Sequence, residues 1–320
     1  MALLEVENLK TYFDIEGKKC TAVDGISFVL NKGETMAVIG ESGSGKSVTA
    51  LSIMGLIDYS GKIAEGKIIF NGEDLLKKKE NEIRKIRGNE IAMIYQDPMT
   101  TLNPMNKVGE QIGEALIIHK KNKKNEIKPI VIDLMKAVGI MDAEERYNQL
   151  PDQFSGGMRQ RLMIAMAIAC KPKLLIADEP TTALDVTIQA EILDLLRNLK
   201  SSNDMSIILN THDLGVVADM ADKVIVMYCG KIMEMTSNEE LFNNPLNPYT
   251  KKLMECIPRV DDKKRRLQTI DGYVPYLTQL PKGCRFSNRC EYATDKCKVE
   301  VPELIEVEEG HWSRCWYINI

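Results

Sequence analysis

The feature that most constrains this chain is a glycine-rich segment that fits the phosphate-binding pattern G-x-x-x-x-G-K-[ST]. The segment is Gly40-Glu41-Ser42-Gly43-Ser44-Gly45-Lys46-Ser47. It follows an apolar run over residues 35–39, which predicts a strand, and it opens a helical pattern over 46–57 that Gly61 is expected to end. The alternative is a glycine turn that binds nothing, but four fixed positions match by chance in only about one chain in a hundred of this length.

The residue types of this segment suit a bound phosphate. Glycines let backbone N–H groups approach phosphate oxygens closely, and the N-terminus of a helix adds a partial positive charge. We expect the Lys46 ammonium to neutralise the β- and γ-phosphates and the Ser47 hydroxyl to ligate Mg²⁺. The segment therefore predicts a nucleotide phosphate site that follows the end of a strand.

Apolar strands alternate with helical patterns further along the chain. The predicted strands cover residues 173–177, 205–210 and 223–227, and the predicted helices cover 157–169, 187–200 and 214–220. Such alternation predicts an α/β fold with a mostly parallel sheet covered on both faces. In open sheets of this kind, ligands bind at the carboxyl ends of the strands.

Polar residues follow two of these predicted strands. Asp178 and Glu179 end the first, where Asp178 would reach the Mg²⁺ shell and Glu179 would accept a proton from an attacking water. His212 follows the second and could donate to a γ-phosphate. The alternatives are a solvated loop for the two carboxylates and a structural role for the histidine.

The charge balance bears on the partners that the chain can have. Its 320 residues include 42 basic and 46 acidic side chains, for a net charge of −4. This balance leaves no basic footprint for nucleic acid. The sequence has no apolar run near the roughly 20 residues that cross a bilayer, and its N-terminal segment lacks the pattern of a secretory signal. We therefore expect a cytoplasmic protein with reduced cysteines.

A further segment resembles the signature of the ATP-binding cassette (ABC) ATPases, which is usually written L-S-G-G-Q and is followed by basic residues. It runs Phe154-Ser155-Gly156-Gly157-Met158-Arg159-Gln160-Arg161. Phe154 replaces the leucine and Met158 the glutamine, but the Ser-Gly-Gly core is intact. The family order is also similar over about residues 1–250: phosphate loop, Gln96, signature, Asp178-Glu179, Ala183-Leu184-Asp185 and His212.

The resemblance implies a fold and a domain organisation. The implied fold is the α/β P-loop NTPase fold of ABC ATPases, with an antiparallel β subdomain, an inserted helical subdomain over about residues 97–160 and a small cysteine-rich C-terminal extension. The nucleotide-binding domain would cover residues 1–258 and the extension 259–320. A charged run over 261–266 suggests a linker between them.

The resemblance also implies roles for individual residues. The catalytic residues would be Lys46, Gln96, Glu179 and His212. The residues that bind ATP would be Tyr12, stacked on adenine, with Gly40, Ser42, Gly43, Ser44, Gly45, Lys46, Ser47 and Val48. Ser47, Gln96 and Asp178 would hold Mg²⁺. Ser155, Gly156, Gly157 and Asp185 would contact ATP held by the opposite ATPase of a head-to-tail dimer.

Four of the eight cysteines lie near the end of the chain, with the spacing C-x5-C-x6-C-x17-C. They are Cys284, Cys290, Cys297 and Cys315. Zinc sites usually show closer cysteine pairs, whereas iron–sulfur clusters take four thiolates at varied spacings. A region this small has little core, so a bound metal is a reasonable source of stability. An iron–sulfur cluster, zinc and free thiols are the three interpretations.

The sequence around these cysteines resembles the C-terminal extension of oligopeptide and dipeptide importer ATPases, and that of the related nickel importers. The similar segments are Gly283-Cys284-Arg285-Phe286-Ser287-Asn288-Arg289-Cys290-Glu291-Tyr292 and Asn247-Pro248-Tyr249-Thr250. This resemblance implies that the four cysteines hold a [4Fe–4S] cluster.

The two resemblances together imply an ATPase subunit that powers import of di- or oligopeptides through a separate membrane permease. It would lie peripherally on the cytoplasmic face of the cell membrane, as a homodimer or paired with a homologous ATPase, and would serve an external substrate-binding protein indirectly. Import of nickel or another small solute is one alternative. A soluble ABC ATPase with a redox-sensing metal tail is another.

Overall fold

A computed structural model describes residues 1–119, 123–182, 184–256 and 269–317. The chain divides into two compact units. The first comprises Met1–Leu30, Thr35–Leu76 and Asn210–Ile320, and the second comprises Asn31–Glu34 and Lys77–Leu209. The predicted linker over 261–266, the predicted domain boundary at 258 and Ala183 of the predicted motif lie outside the described residues.

The strands and helices alternate along much of the chain. The strands are β1 (Ala2–Ile15), β2 (Lys18–Asn31), β3 (Thr35–Ile39), β4 (Gly61–Phe70), β5 (Glu73–Asp74), β6 (Ile91–Ile94), β7 (Leu174–Asp178), β8 (Ser206–Thr211), β9 (Lys223–Tyr228), β10 (Lys231–Ser237), β11 (Ile305–Glu308) and β12 (His311–Ser313). The helices are α1 (Lys46–Met54), α2 (Glu80–Ile86), α3 (Pro98–Thr101), α4 (Val108–Ile118), α5 (Lys124–Ala137), α6 (Ala143–Arg146), α7 (Gly156–Ile168), α8 (Val186–Asn203), α9 (Leu214–Met220), α10 (Asn238–Asn243), α11 (Pro248–Glu255) and α12 (Asp295–Val299).

The first unit contains a sheet with the strand order β2-β1-β4-β5. β1 and β4 pair antiparallel, with Leu4 opposite Phe70 and Tyr12 opposite Lys62. Leu4, Val6 and Leu9 of β1 are buried, and so are Ile68 and Phe70 of β4. These apolar side chains give the sheet a face that is shielded from water, which is the main source of its stability.

A second set of strands in the first unit has the order β11-β12-β10-β9-β3. β3 and β9 are parallel, with Ala37 opposite Val224 and Ile39 opposite Val226. All five residues of β3 are buried, as expected for a parallel strand that is covered on both faces. β10 and the β11–β12 hairpin continue this sheet as antiparallel strands.

Three aromatic rings join the end of the chain to this sheet. Tyr228 of β9, Tyr249 of α11 and Phe286 are all buried. Their ring centroids lie 4.7 Å apart for Tyr228 and Tyr249, 5.4 Å for Tyr228 and Phe286, and 5.1 Å for Tyr249 and Phe286. Tilted and edge-on pairs at such distances are favourable beyond the area that they bury. Within the first unit, the cysteine-rich region therefore packs on β9 and α11 through a shared aromatic core.

The second unit is built on β6 and β7, which are parallel, with Ile91 opposite Leu174 and Ile94 opposite Ala177. β8 lies next to β7, and it begins in this unit and ends in the first. Helices α3 to α6 follow β6. α4 buries Val108, Ile112 and Leu116, which are four residues apart and so lie on one helix face. α5 does the same with Ile127, Val131 and Met135, and it packs on α4.

The predicted helix over 46–57 is too long. α1 ends at Met54 because Gly55 takes a left-handed conformation with φ +63° and its N–H donates to the carbonyls of Leu51 and Ser52. Glycine adopts that conformation without strain, so it ends the helix earlier than the expected stop at Gly61. In the ranges that the structure describes, none of the helices combines the length and the apolarity needed to span a membrane.

Candidate functional site

The predicted phosphate loop connects β3 to α1 in the first unit, and its glycines are required by close backbone contacts. Gly40 has φ +149°, and a Cβ atom there would lie 2.1 Å from the carbonyl oxygen of Met227. Gly45 has φ +105°, and its Cβ atom would lie 2.7 Å from the carbonyl oxygen of Ala22. A larger residue at either position would force backbone apart, so the packing of this unit holds the loop in one shape.

Two polar side chains of the loop are buried. Lys46 is 5% exposed, and its Nζ donates to the carbonyl oxygen of Gly40 at 2.7 Å. The Oγ atom of Ser44 is buried and has no hydrogen-bond partner among the described residues. A buried hydroxyl without a partner is unfavourable, and a phosphate oxygen would satisfy it. Ser42, Gly43 and Ser47 are exposed, and Val48 is half-buried.

Tyr12 and His212 are the other predicted site residues of the first unit. Tyr12 is half-buried in β1, and the Nζ atom of Lys19 lies 5.1 Å from its ring centroid. The Lys19 ammonium and the Tyr12 ring therefore form a cation–π contact. His212 is exposed and immediately follows β8.

The second unit places two predicted catalytic side chains together. Asp178, at the end of β7, is 6% exposed, and Glu179 follows it with φ +49°, a left-handed conformation that is strained for glutamate. The Oε2 atom of Glu179 accepts hydrogen bonds from Nε2 of Gln96 at 2.9 Å and from the Thr182 hydroxyl at 3.1 Å. Gln96 lies just beyond β6, next to β7, so neighbouring parallel strands bring the amide to the carboxylate.

The signature segment forms the N-terminus of α7. Phe154 is buried, and Ser155 is the N-cap residue, with its Oγ accepting from the N–H of Met158 at 3.4 Å. A Cβ atom on Gly156 would meet nothing within 4 Å, whereas one on Gly157 would lie 2.9 Å from the Ile188 side chain. The N-terminus of this helix is therefore open at Gly156.

The four residues predicted to contact ATP of an opposite ATPase lie around one cavity of about 530 Å³. Ser155, Gly156, Gly157 and Asp185 all line it. Asp185 is the N-cap residue of α8, and its Oδ1 accepts from the N–H of Ile188 at 3.0 Å. Two helix N-termini thus contribute to a single depression, and backbone N–H groups at such ends favour an anion.

Sequence analysis missed an ion pair between the phosphate loop and the cysteine-rich region. Arg289 binds the Glu41 carboxylate through two hydrogen bonds, from Nη1 to Oε2 at 2.7 Å and from Nη2 to Oε1 at 3.0 Å. The Arg289 side chain is 4% exposed. Nη1 also donates to the Tyr228 hydroxyl at 3.2 Å, and Tyr249 accepts from the N–H of Glu41 at 3.1 Å. The hint of this ion pair in the sequence is that an acidic residue, Glu41, stands inside the predicted phosphate loop.

Burial around this ion pair changes the pKa values of the two tyrosines that contact it. Burial raises the pKa of Tyr228 to about 12, although its hydrogen bond from Arg289 opposes that change. Burial also raises the pKa of Tyr249 well above its usual value. Both phenols are neutral near pH 7 even at their ordinary pKa, and burial keeps them neutral to higher pH, so Arg289 provides the positive charge that faces Glu41.

The four predicted cluster ligands lie around one cavity. Cys284, Cys290, Cys297 and Cys315 all line it. Burial, with smaller contributions from the neighbouring thiols, raises the pKa of Cys284 to about 11. Burial likewise raises the pKa values of Cys290 and Cys315. Without a metal these thiols hold their protons, and a metal would have to displace them.

Comparisons with known proteins agree with this arrangement. The family model described as ABC transporter matches residues 23–182, and the model described as oligopeptide/dipeptide transporter, C-terminal region, matches 233–297. The chain is 52% identical to the oligopeptide transport ATP-binding protein AppD of Bacillus subtilis (strain 168), over 98% of this chain and 96% of that protein. It is 49% identical to the dipeptide transport ATP-binding protein DppD of Escherichia coli (strain K12), over 99% of this chain and 97% of that protein.

Solved structures give the same cassette fold. The dimeric post-hydrolysis state of the ATP-binding cassette MJ0796 with ADP and Pi matches with a TM-score of 0.66 and 25% identity, over 73% of this chain and 98% of that one. The structure of cbiO1 from Clostridium perfringens, part of an ABC transporter complex, matches with a TM-score of 0.63 and 28% identity, over 76% and 91%. The predicted α/β cassette fold is confirmed, and the chain belongs to the ABC transporter ATPases, in the oligopeptide and dipeptide importer group.

Proposed function

We propose that this chain is the ATP-hydrolysing subunit of an importer of di- or oligopeptides and that it drives transport through a separate membrane permease. The observation that carries hydrolysis, as opposed to binding alone, is the Gln96–Glu179 contact directly after the buried Asp178. The relatives named for oligopeptide and dipeptide transport support the substrate class. Specificity among peptides would then depend on the permease and the external binding protein.

The phosphate loop would hold the triphosphate of ATP. Lys46 now donates to a carbonyl of its own loop, and it would exchange that bond for one to a phosphate oxygen. The present bond joins an ammonium to a neutral carbonyl oxygen, whereas a phosphate oxygen carries a negative charge, so the exchange adds attraction between opposite charges. The buried Ser44 hydroxyl would gain its missing partner at the same time. Tyr12 would stack on adenine, and Gly40, Ser42, Gly43, Gly45 and Val48 would complete the nucleotide contacts.

The magnesium ligands that we propose are Ser47, Gln96 and Asp178. A hydroxyl, an amide carbonyl and a carboxylate offer the oxygen atoms that Mg²⁺ prefers, so these residue types fit the ion. Asp178 is a buried carboxylate at the end of β7, and a carboxylate oxygen is a favoured ligand of Mg²⁺. When bound, Mg²⁺ neutralises charge on the phosphates.

Glu179 would act as the general base. Its Oε2 is held by the amide of Gln96 and the hydroxyl of Thr182, so the carboxylate has a defined position from which to accept a proton from water. Its left-handed backbone costs energy for a glutamate, and such a conformation persists only where the surrounding structure fixes it. His212 would donate a hydrogen bond to the γ-phosphate.

A second ATPase would complete the site. The cavity lined by Ser155, Gly156, Gly157 and Asp185 would close on the γ-phosphate of ATP held by that partner, which is either a second copy or a homologous chain. We also infer that residues 1–258 form the nucleotide-binding domain, with a helical subdomain over about 97–160, and that 259–320 form the C-terminal extension. Through the permease, the chain would lie on the cytoplasmic face of the membrane.

We infer that Cys284, Cys290, Cys297 and Cys315 hold a [4Fe–4S] cluster. They share one cavity, and yet no three of these sulfurs, all in described residues, lie within 4.8 Å of one another. A single tetrahedral zinc with bonds of about 2.3 Å would bring its sulfurs to about 3.8 Å. This spacing argues only against a preformed zinc site, and the cluster assignment rests on the shared cavity and on the resemblance of the surrounding sequence. Protein purified without oxygen should contain about four irons and four sulfides, which Cys290→Ser should lose; one zinc or no metal would contradict the assignment.

The proposed hydrolysis is tested with Glu179→Gln, which removes the base and keeps the shape of the side chain. We expect the rate of ATP hydrolysis to fall by about 10²–10⁴-fold while ATP affinity stays within about twofold. Glu114→Gln, an exposed glutamate of α4, is the matched control and should hydrolyse ATP normally. Full activity in Glu179→Gln would exclude the assigned role.

Transport of peptides is tested in the complex with the permease and its binding protein. Hydrolysis should rise when the binding protein carries a di- or oligopeptide and should not respond to nickel. A response to nickel alone would replace the peptide assignment with the nickel importer, and it would leave the ATPase assignment intact.

A redox-sensing role for the cysteine-rich region is a second candidate, and the Arg289–Glu41 ion pair favours it. Arg289 adjoins Cys290 and contacts the phosphate loop directly, so a change at the cysteines has a physical route to the loop. If the region senses redox state, oxidation of the bound metal should change the hydrolysis rate in the natural chain. Glu41→Gln should abolish that response.

A further inference from the structure

A second group of metal-ligand side chains lies in the first unit, away from the cysteines in sequence. It consists of Glu240 in the first turn of α10, Glu308 at the end of β11 and His311 at the start of β12. One ligand atom from each residue lies within 4.8 Å of the others, and within the described ranges this is the one group of three that meets that limit. The two carboxylates are exposed, whereas His311 is 1% exposed.

The orientation of the His311 ring is set by a buried carboxylate. Its Nε2 lies 2.7 Å from Oε1 of Glu234, which is 0% exposed. The Glu234 carboxylate also accepts the backbone N–H groups of Leu246 at 2.7 Å and Asn247 at 2.9 Å. Because an ionised carboxylate can only accept, Nε2 carries the hydrogen of this bond. In the neutral ring, Nδ1 then presents its lone pair.

The Nδ1 atom gives a second observation that points to a ligand, independent of the grouping of the three side chains. Nδ1 of His311 is buried and has no hydrogen-bond partner among the described residues. A buried polar atom without a partner loses its hydration and gains nothing in return, so its presence calls for a ligand. Since Nε2 is bonded to Glu234, Nδ1 is the ring nitrogen available to a metal beside Glu240 and Glu308.

We propose that Glu240, Glu308 and His311 bind a divalent first-row transition-metal ion. The Glu234–His311 contact then has the form of a carboxylate that orients a metal-ligating histidine, a common arrangement around protein metal sites. One imidazole and two carboxylates suit ions such as Mn²⁺ and Zn²⁺, and the absence of sulfur from the ligand set separates this site from the cysteine site. Water would complete the coordination on the exposed side.

Binding of a metal would link two elements of the first unit, the β11–β12 hairpin and α10. Glu308 and His311 face each other across the β11–β12 hairpin, whereas Glu240 belongs to α10, which follows β10. A metal shared by the three residues would fasten the hairpin to that helix. The site therefore stabilises the edge of the sheet on which the cysteine-rich region ends.

The test is a titration of the nucleotide-free full chain with Mn²⁺, an ion that binds carboxylate and imidazole far better than thiolate. Bound ion is measured by the loss of the EPR signal of free Mn²⁺, and an imidazole ligand by nitrogen modulation of the spin echo. We expect one site with nitrogen modulation, and we expect Zn²⁺ to displace the Mn²⁺.

Two charge-matched variants make the test specific. Glu240→Gln/Glu308→Gln should weaken Mn²⁺ binding on the order of 100-fold or more, since it removes two ligands and outer-shell changes alone lower affinity by about 10–100-fold. Glu239→Gln/Glu309→Gln moves the same change by one residue at each place, and its Kd should stay within about twofold. If the first variant fails to fold, Glu308→Gln alone should show an intermediate loss.

The remaining outcomes overturn the proposal. Absence of Mn²⁺ binding in the natural chain would exclude the site. Binding without nitrogen modulation would exclude His311 as a ligand. Equal weakening in both double variants would show a general effect of surface charge.

Discussion

The chain contains two helix N-termini built to face an anion, one in each unit, and their surroundings differ. At α1, the preceding loop is packed tightly at both ends: Cβ atoms on Gly40 and Gly45 would lie 2.1 Å and 2.7 Å from backbone oxygens, and Lys46 is buried. At α7, the surroundings are open: a Cβ atom on Gly156 would meet nothing within 4 Å, and Ser155 is exposed. Both ends use the same backbone chemistry.

The difference suits the two ends to two tasks: the loop before α1 holds a phosphate, and the N-terminus of α7 closes on one. A loop that is packed at both ends and followed by a buried ammonium is organised before the phosphate arrives, which lowers the entropic cost of binding. An open helix end beside a cavity of about 530 Å³ has room for a surface brought by another molecule. Each chain therefore carries one phosphate loop and one signature segment, and an ATP would be bound by the loop of one chain and the signature segment of another.

The largest expected effect comes from adding a methyl group at each helix end. Gly40→Ala should lower the free energy of unfolding of the first unit by about 3 kcal/mol or more and abolish ATP binding, because the methyl group collides with backbone at positive φ. Gly156→Ala should change stability by less than about 1 kcal/mol and reduce only hydrolysis. Urea denaturation and an ATP-binding assay measure both, and equal loss of stability in the two variants would break the comparison.

An intermediate effect is expected from the polar side chains at the two ends. Lys46→Met should weaken ATP binding by more than tenfold, because a charge-assisted bond to phosphate contributes about 1.5–3 kcal/mol. Ser155→Ala should leave ATP affinity of the isolated chain unchanged and lower hydrolysis, with about 0.5–1 kcal/mol lost from the N-cap of α7. Reduced ATP affinity in Ser155→Ala would mean that one chain uses both ends for the same nucleotide.

The smallest contrast between the two ends is expected from the arginines near them. Arg289→Lys should destabilise the chain by about 1–3 kcal/mol, because lysine cannot reproduce the buried two-bond contact with Glu41. Arg161→Lys should cost about 1 kcal/mol or less, since its partner Glu191 is half exposed and salt screens the pair. Thermal denaturation at low and high salt separates them: only the Arg161 variant should approach the natural chain as salt rises.

Local patterns were sufficient to predict much of the fold and of the candidate site. The phosphate loop, the strand that ends at Asp178 and the signature segment are contiguous stretches, so their spacing along the chain already specifies strand, loop and helix. The predicted helix extends three residues beyond the observed end of α1. Gly55 ends the helix through its left-handed backbone, which the pattern of apolar residues does not reveal. The positions of Gln96 and Glu179 were predicted separately, and pairing of β6 with β7 brought them into contact.

By itself, the sequence determined the chemistry of this protein: a phosphate loop, two strand-end carboxylates, a second glycine-rich helix start and four late cysteines. Only the tertiary structure decided which distant groups meet. Arg289 and Glu41 are 248 residues apart, and His311 and Glu234 are 77 apart. Their contacts depend on how strands and rings pack, and no short pattern encodes that packing, because burial is a property of the whole fold. The tightly packed ends of the phosphate loop, the open signature cavity and the His311 nitrogen without a partner all follow from that packing.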